Sequence, residues 1–339
     1  MDAELVDSDV VDTVRVDTVR VNTGSVETVP VVDLTSDPVV LGPQIDAICS
    51  QFGFFQIVGH GIDDEIADRA WGLAQEFFDL PLEQRMAVAP PPGHPYGYAP
   101  FAAESLGRSL GQAAPPDLKE AFGCGPVDRP THRFHDADEQ SVYTANLWPS
   151  ALPELEVAWT TYYRAMLGLG GRLMSLFALA LQLPPSYFDA MIDRSASAMR
   201  AINYPTSATP AVPGQLRAGA HTDYGTLTML RQDTVGGLEV LDTRGNWVAV
   251  PSVPGAFVVN IGDLMARWTN DRWRSTLHRV VEPVEAGGAR RQSMPFFHNA
   301  NWDAAVTCLP SCLTPGTAAI HPPVLAGPHL MAKFRAALV

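Results

Sequence analysis

Three side chains of this chain are of the types that can share one ion. In the run HTDYGTLTML, His221 and Asp223 stand two apart at the predicted start of a strand, where alternate side chains share a face. His278, in STLHRVV, opens another predicted strand far downstream, and a closed double sheet can lay such distant strands side by side. Two imidazoles and one carboxylate occupy one face of an octahedral iron(II) and leave the opposite face open, as dioxygen and a bidentate co-substrate require. A divalent ion with a single carboxylate ligand keeps net positive charge, so it favours an anionic keto acid that chelates through its carboxylate and keto oxygens. The far end of such an acid needs a partner of its own. Arg291 and Ser293, in RRQSMPFF, stand two apart on a predicted strand and offer one carboxylate a guanidinium fork and a hydroxyl.

The elements that must carry these groups are written in the hydrophobic pattern. VPVVDL reads as a short buried strand ending at Asp33 and FGFFQIV as a second, with Ile45, Ile48 and Phe52 at helical spacing between them. Ile62 to Phe78 reads as an amphipathic helix closed by Pro81, and PPPGHPYGYAP as an irregular loop, because its prolines cannot donate ladder hydrogen bonds. Leu152 to Leu183 is the longest helical pattern, and Gly168, Gly170 and Gly171 inside it predict close packing on a sheet. After Ala198 come MRAINYP, LTMLRQD, GLEVLD, WVAVP, AFVVNIGD, HRVVEPV and RQSMPFFHNAN, short strands parted by turn residues, which predict an antiparallel sandwich or barrel. The expected organisation is an acidic disordered tail over 1–28 and one domain over 29–339. Within that domain, 29–150 is an amino-terminal α/β part, 151–195 supporting helices, 196–300 the β-rich core and 301–339 a C-terminal lid or helix.

Bulk properties narrow the partners. With 339 residues, 46% of them hydrophobic, the chain can bury a sizeable core. Its net charge of -14 argues against a nucleic-acid surface or attraction to anionic lipid, so a small-molecule partner is expected, acting on a monomer or weak homo-oligomer. The tail, with VDTVR written twice, holds two arginines against seven acids, and so contributes -5 of that -14. No uncharged apolar run approaches the ~20 residues needed to span a bilayer, and the opening residues have no signal-peptide character, so no membrane and a cytoplasmic setting are expected. Four scattered cysteines make neither a disulfide framework nor a zinc site and read as reduced thiols.

Seven motifs in order, VPVVDL with GFFQIVGHGI, YGY with DLKEAFGCG, NYP, HTDYGTLTML, GGLEV, NIGDLMARWTNDRWRSTLHRV and RQS, resemble the isopenicillin N synthase-like branch of the iron(II)/2-oxoglutarate-dependent oxygenases from about Val29 to the last helix. The resemblance implies a mainly β fold with flanking helices around a double-stranded β-helix (jelly roll). It implies His221, Asp223 and His278 as the iron ligands, and Arg291, Ser293, Tyr204 and Asn203 as contacts of 2-oxoglutarate. The activity it implies is oxidation of a C–H bond of a small metabolite, by hydroxylation, desaturation or ring closure, with dioxygen consumed and succinate and carbon dioxide formed. Halogenation ranks below these because related halogenating enzymes replace the carboxylate ligand, which is present here as Asp223. Secondary metabolism is the setting the branch suggests. One departure from the family pattern is Gly59, where an Asn usually precedes His-Gly-Ile; a structural consequence alone is expected.

Tyr98, Phe101, Arg108, Arg200, Met229 and Phe297 are candidate substrate contacts, by their place beside the Pro-rich loop or on strands near the triad. Against Phe296, Phe297, Trp268 and Trp273 stands the plainer reading that they fill the barrel. Asn260, Gly262 and Asp263 read as a tight turn, and His60, His94, His132, His135, His298, His321 and His329 as surface or supporting groups. Two alternatives stay open at this level. In an oxidase of isopenicillin N synthase type, Arg291 and Ser293 would hold a substrate carboxylate and 2-oxoglutarate would not be used; a non-catalytic metal-binding jelly roll is the other.

Overall fold

The alternating runs pair into two facing sheets. The computed structural model describes residues 28–111, 114–206, 212–283 and 288–338, so the predicted tail lies, apart from Thr28, outside the described residues. In chain order the elements are β1 (Val31–Asp33), α1 (Pro38–Gln51), β2 (Phe54–Val58), α2 (Asp64–Asp79), α3 (Leu82–Met86), β3 (Gly97–Ala99), β4 (Glu120–Cys124), α4 (Ala137–Val142), α5 (Glu154–Ala180) and α6 (Asp189–Ile192). There follow β5 (Ala198–Tyr204), β6 (Ala218–His221), β7 (Leu227–Gln232), β8 (Leu238–Leu241), β9 (Trp247–Ala249), β10 (Phe257–Ile261), α7 (Asp263–Trp268), β11 (His278–Val280), β12 (Arg291–His298), β13 (Ala305–Val306), β14 (Val324–Leu325) and α8 (Ala326–Leu338). Local chemistry starts the helices: Asp37 and Asp63 cap α1 and α2 with their carboxylates, and Pro38 takes the first position of α1, where its missing N–H costs nothing.

The larger sheet has eight strands in the order β1-β2-β10-β7-β12-β5-β4-β3, and the smaller has four in the order β6-β11-β8-β9. All pairings are antiparallel except β1 with β2. The entry segment is therefore not a separate layer: its strands extend both edges of the sheet that carries the second half of the chain.

Alternation along the large sheet builds two cores. One face packs on α1, α2 and α5 through Leu227, Met229, Phe257, Met294 and Phe296, against Trp159, Tyr163 and Phe177 of α5. The other meets the small sheet through Phe54, Tyr204, Val258, Leu238, Val240 and Val280. Fully burying such a side chain stabilises by roughly 1.5–3 kcal/mol. The predicted irregular loop contains a strand after all: β3 pairs with β4 because Pro95 and Pro100 bracket Gly97–Ala99 without entering it. Of the three helix glycines, only Gly170 meets the sheet, where a Cβ would come 2.3 Å from His298 Cδ2. Gly59 has φ +61°, a left-handed position, and a Cβ there would lie 2.5 Å from Asp33 Oδ1, so its role is structural.

Candidate metal centre

His221 and His278 face each other across the small sheet. They are paired in register between β6 and β11, with ring centroids 4.2 Å apart. His221 ends its strand rather than starting it, and Asp223 follows in the turn beyond. The two Nε2 atoms each lie 3.8 Å from Asp223 Oδ1, and one ligand atom from each residue falls within 4.8 Å of the others.

Each ligand is aimed from behind. His221 Nδ1–H donates to Gly219 O at 2.8 Å and His278 Nδ1–H to Thr276 O at 3.1 Å, which leaves both Nε2 lone pairs turned inward. Asp223 Oδ2 accepts from Thr228 Oγ1 at 2.6 Å and Asn260 Nδ2 at 2.7 Å, so Oδ1 is the oxygen left for an ion. The Asp223 turn is itself clasped by the strand-to-helix corner after β10: Asp263 N donates to Asp223 O at 2.8 Å, and a Cβ on Gly262 would lie 2.2 Å from Gly225 O. The tight turn predicted around Asn260 is thus partly corrected. Gly262 and Asp263 make the corner, but Asn260 belongs to β10 and positions the carboxylate. A polar side chain inside the fully buried run FVVNI was the signal that could have found it.

Electrostatics complete a ligand-ready set. Burial, and then repulsion from His278, push His221 down to about 3, so it is neutral at physiological pH. Burial works to raise the Asp223 carboxyl, but the two imidazoles and the hydrogen bonds from Thr228 and Asn260 outweigh it and hold the group below the usual carboxylate range.

Deeper inside, Arg291 and Tyr204 are opposed on β12 and β5, with the guanidinium carbon 4.8 Å from the ring centre, and Ser293 lies two residues along on the same face. Arg291 is completely buried. Its Nε donates to Gly236 O at 2.8 Å and Nη2 to Gln232 Oε1 at 3.4 Å, while Nη1 has no partner among the described residues. A buried cation with an idle donor calls for an anion.

Several expected contacts face elsewhere. Asn203, next to Tyr204, points to the opposite face, where Nδ2 donates to Glu120 Oε1 at 2.7 Å and Oδ1 accepts from Arg290 Nε at 2.8 Å. Tyr98 bonds the same Glu120 and packs on Phe77, and Met229 sits fully buried in the helix-side core. Phe101 and Arg108 are exposed. Phe297, half-buried, shares the inner face of β12 with Arg291 and Ser293. Arg200, on the inner face of β5, pairs with Glu104 at 2.6 Å, and Glu104 also meets buried Lys119, which in turn lies 3.4 Å from Asp117. Burial would raise Glu104, but Arg200 and Lys119 lower it to about 2, and the Lys119 charge also reaches His221. Sequence spacing gave no sign of this network, because its members come from separate segments.

Known proteins resemble the chain over most of its length. Residues 195–300 match the 2OG-Fe(II) oxygenase superfamily and residues 29–151 the N-terminal region of the non-haem dioxygenases in morphine synthesis. The chain is 36% identical over 287 residues to a 2-oxoglutarate-Fe(II) type oxidoreductase of Emericella nidulans, covering 83% of this chain and 80% of the relative. It is 35% identical to the validamycin A dioxygenase of Streptomyces hygroscopicus subsp. limoneus, covering 90% and 86%. Among solved structures, a full-length Neurospora crassa protein in complex with alpha-KG superposes with a TM-score of 0.79 at 27% identity, over 91% of this chain and 96% of that one.

Proposed function

The chain belongs to the 2OG-Fe(II) oxygenase superfamily, and from that premise we propose that His221, Asp223 and His278 hold the iron while Arg291, Ser293 and Tyr204 receive the distal carboxylate of 2-oxoglutarate. The protein is a 2-oxoglutarate-dependent dioxygenase that oxidises small metabolites with iron(II) and dioxygen. That sets aside the oxidase and non-catalytic alternatives. The observation that carries the residue assignment is the fully buried guanidinium of Arg291, with an idle donor, on the same inner surface as Tyr204, with the His221, His278 and Asp223 face beyond. When bound, iron supplies the oxidative decarboxylation of 2-oxoglutarate to succinate and the oxidation of the substrate C–H bond. The chain's own groups orient and shield: Gly219 and Thr276 carbonyls fix the imidazole tautomers, and Thr228 and Asn260 fix which Asp223 oxygen is offered.

The substrate side of the proposal rests on Arg200, Glu104 and Lys119. A partly exposed ion-pair network beside a metal centre suits a polar metabolite better than a hydrocarbon. Relatives named for validamycin A and homoarginine are consistent with that class. The acidic charge supports a free small molecule rather than nucleic acid as the partner, and free thiols, two of them buried, suit a cytoplasmic setting. No helix among the described residues is long and apolar enough to cross a membrane. We also keep 29–339 as one oxygenase domain with 1–28 outside it, and α8 as a candidate cover: Phe334 packs edge-on against Tyr224, and Lys333 pairs with Asp263 at 2.9 Å, on either side of the Asp223 turn.

Anaerobic addition of iron(II) and 2-oxoglutarate is expected to give the weak visible charge-transfer band of the chelate. His221→Ala should lose the band, metal stoichiometry and succinate formation while keeping its fold. A His221→Ala protein that retains band and turnover would remove these residues from the iron.

A further inference from the structure

A second group of metal-ligand type lies outside the jelly roll, in the run HRFHDADE before and within α4. His132, His135 and Glu139 each place one ligand atom within 4.8 Å of the other two. The sequence reading took both histidines for surface or supporting groups. The carboxylate between them changes that.

Glu139 is completely buried, and its only ion-pair partners among the described residues are the two imidazoles. Its Oε1 lies 2.9 Å from His132 Nε2, and its Oε2 lies 2.9 Å from His135 Nδ1 and accepts the His135 backbone N–H. Asp136 Oδ1 in turn accepts Glu139 N at 2.8 Å, so the segment that carries two of the three ligands is fixed before any ion arrives. The His132 ring is wedged edge-on between Phe134 and Tyr143, with centroids at 5.6 and 6.5 Å.

A buried carboxylate is costly unless a cation accompanies it. Imidazole N–H groups give it hydrogen bonds, and only a charged partner balances its charge. A divalent ion supplies the charge at neutral pH, and two imidazole nitrogens with one carboxylate oxygen are a donor set that zinc-class ions take, with a further position left for water. Tetrahedral bonds of about 2.0–2.1 Å set ligand atoms ~3.3 Å apart, so small rotations of these side chains suffice. His135 has the freedom to make one, being 52% exposed. On binding, each ring must present a bare nitrogen, and its proton moves to the other ring nitrogen.

We propose that His132, His135 and Glu139 form a second, structural site for a zinc-class divalent ion. The ion would brace the segment on which α8 docks, since Asp138 receives Arg335 Nη2 at 2.6 Å. This inference does not rest on the iron assignment.

The test is zinc binding by the full chain after removal of metal, in a His221→Ala background that disables the first centre. After equilibration with zinc(II) and gel filtration, one bound equivalent is expected in His221→Ala, and less than a tenth in His221→Ala/His135→Ala and in His221→Ala/Glu139→Gln. Zinc should also raise the thermal midpoint of the single variant and not of the doubles. His135 is half exposed, so its alanine variant is expected to fold, which circular dichroism checks. The proposal is overturned if His221→Ala holds no zinc, or if the doubles hold as much as the single. It is equally overturned if cobalt(II), substituted as a spectroscopic probe, gives the same visible bands in the single and double variants.

Discussion

Asp223 shows how a candidate metal ligand is oriented by residues that would never touch the metal. One of its oxygens is occupied by Thr228 and Asn260, and that occupation leaves the other for the ion. Asn260→Ala should therefore free the carboxylate to rotate and weaken divalent metal binding by about 10–100-fold, read by titration with manganese(II), while the fold persists. An affinity within twofold of the parent would show that the turn clasp alone orients Asp223. Arg291→Leu addresses the other end of the site. It should raise the KM for 2-oxoglutarate at least tenfold with a smaller change in kcat, because a charge-assisted pair to a buried carboxylate contributes about 1.5–3 kcal/mol; an unchanged KM would move the anion site elsewhere. At this scale the triad was legible because its residue types admit few other uses together. Two of the errors, Asn203 and Met229, were errors of parity. Asn203 and Tyr204 are consecutive on one strand and cannot both face the site, and Met229 follows Thr228, whose hydroxyl reaches Asp223. Which member of each pair turns inward is decided by the register of neighbouring strands, and a single sequence does not state it.

At the scale of elements, most strands and both long helices were visible as period and punctuation, but the meaning of the helix glycines was not. Three glycines in α5 look alike in the sequence. Only Gly170 lies against β12, where His298 is held by Thr226 Oγ1 at 3.0 Å and has little room to retreat. Gly168 and Gly171 have open space where a Cβ would go. Gly170→Ala should then destabilise by about 1–3 kcal/mol through overpacking, whereas Gly168→Ala should stabilise by up to about 1 kcal/mol through helix propensity. Urea unfolding of the two variants distinguishes them, and equal shifts of the same sign would refute the close approach as the reason for Gly170. The strand inside the Pro-rich loop was hidden for the opposite reason: its prolines flank the pairing residues, and a rule that reads composition over the whole stretch cannot see that they spare three positions.

For the whole molecule, the large sheet carries one core on each face, and His298 on β12 is buried where α5 meets that sheet. Burial lowers its pKa from 6.5 to about 4. A folded-state value below the unfolded one means that the unfolded chain binds a proton which the native protein refuses between those two pH values. The His298 contribution is therefore fully present above pH 6.5 and is lost progressively as pH falls toward about 4. Between pH 7.5 and pH 5 the loss should reach roughly 2 kcal/mol. His221 shifts in the same direction in metal-free protein, so wild-type stability should fall by more than this. Bound iron should leave that slope in place and carry it to lower pH, because ligands held by metal stay deprotonated in the native state while the unfolded chain still takes up the proton. His298→Asn isolates the buried group. The variant should be less stable than wild type at pH 7.5, yet the gap between them should shrink by roughly 2 kcal/mol at pH 5, measured by urea midpoints on metal-free samples at both pH values. A gap that stays constant would mean that His298 is protonated, or reaches water, within the native fold.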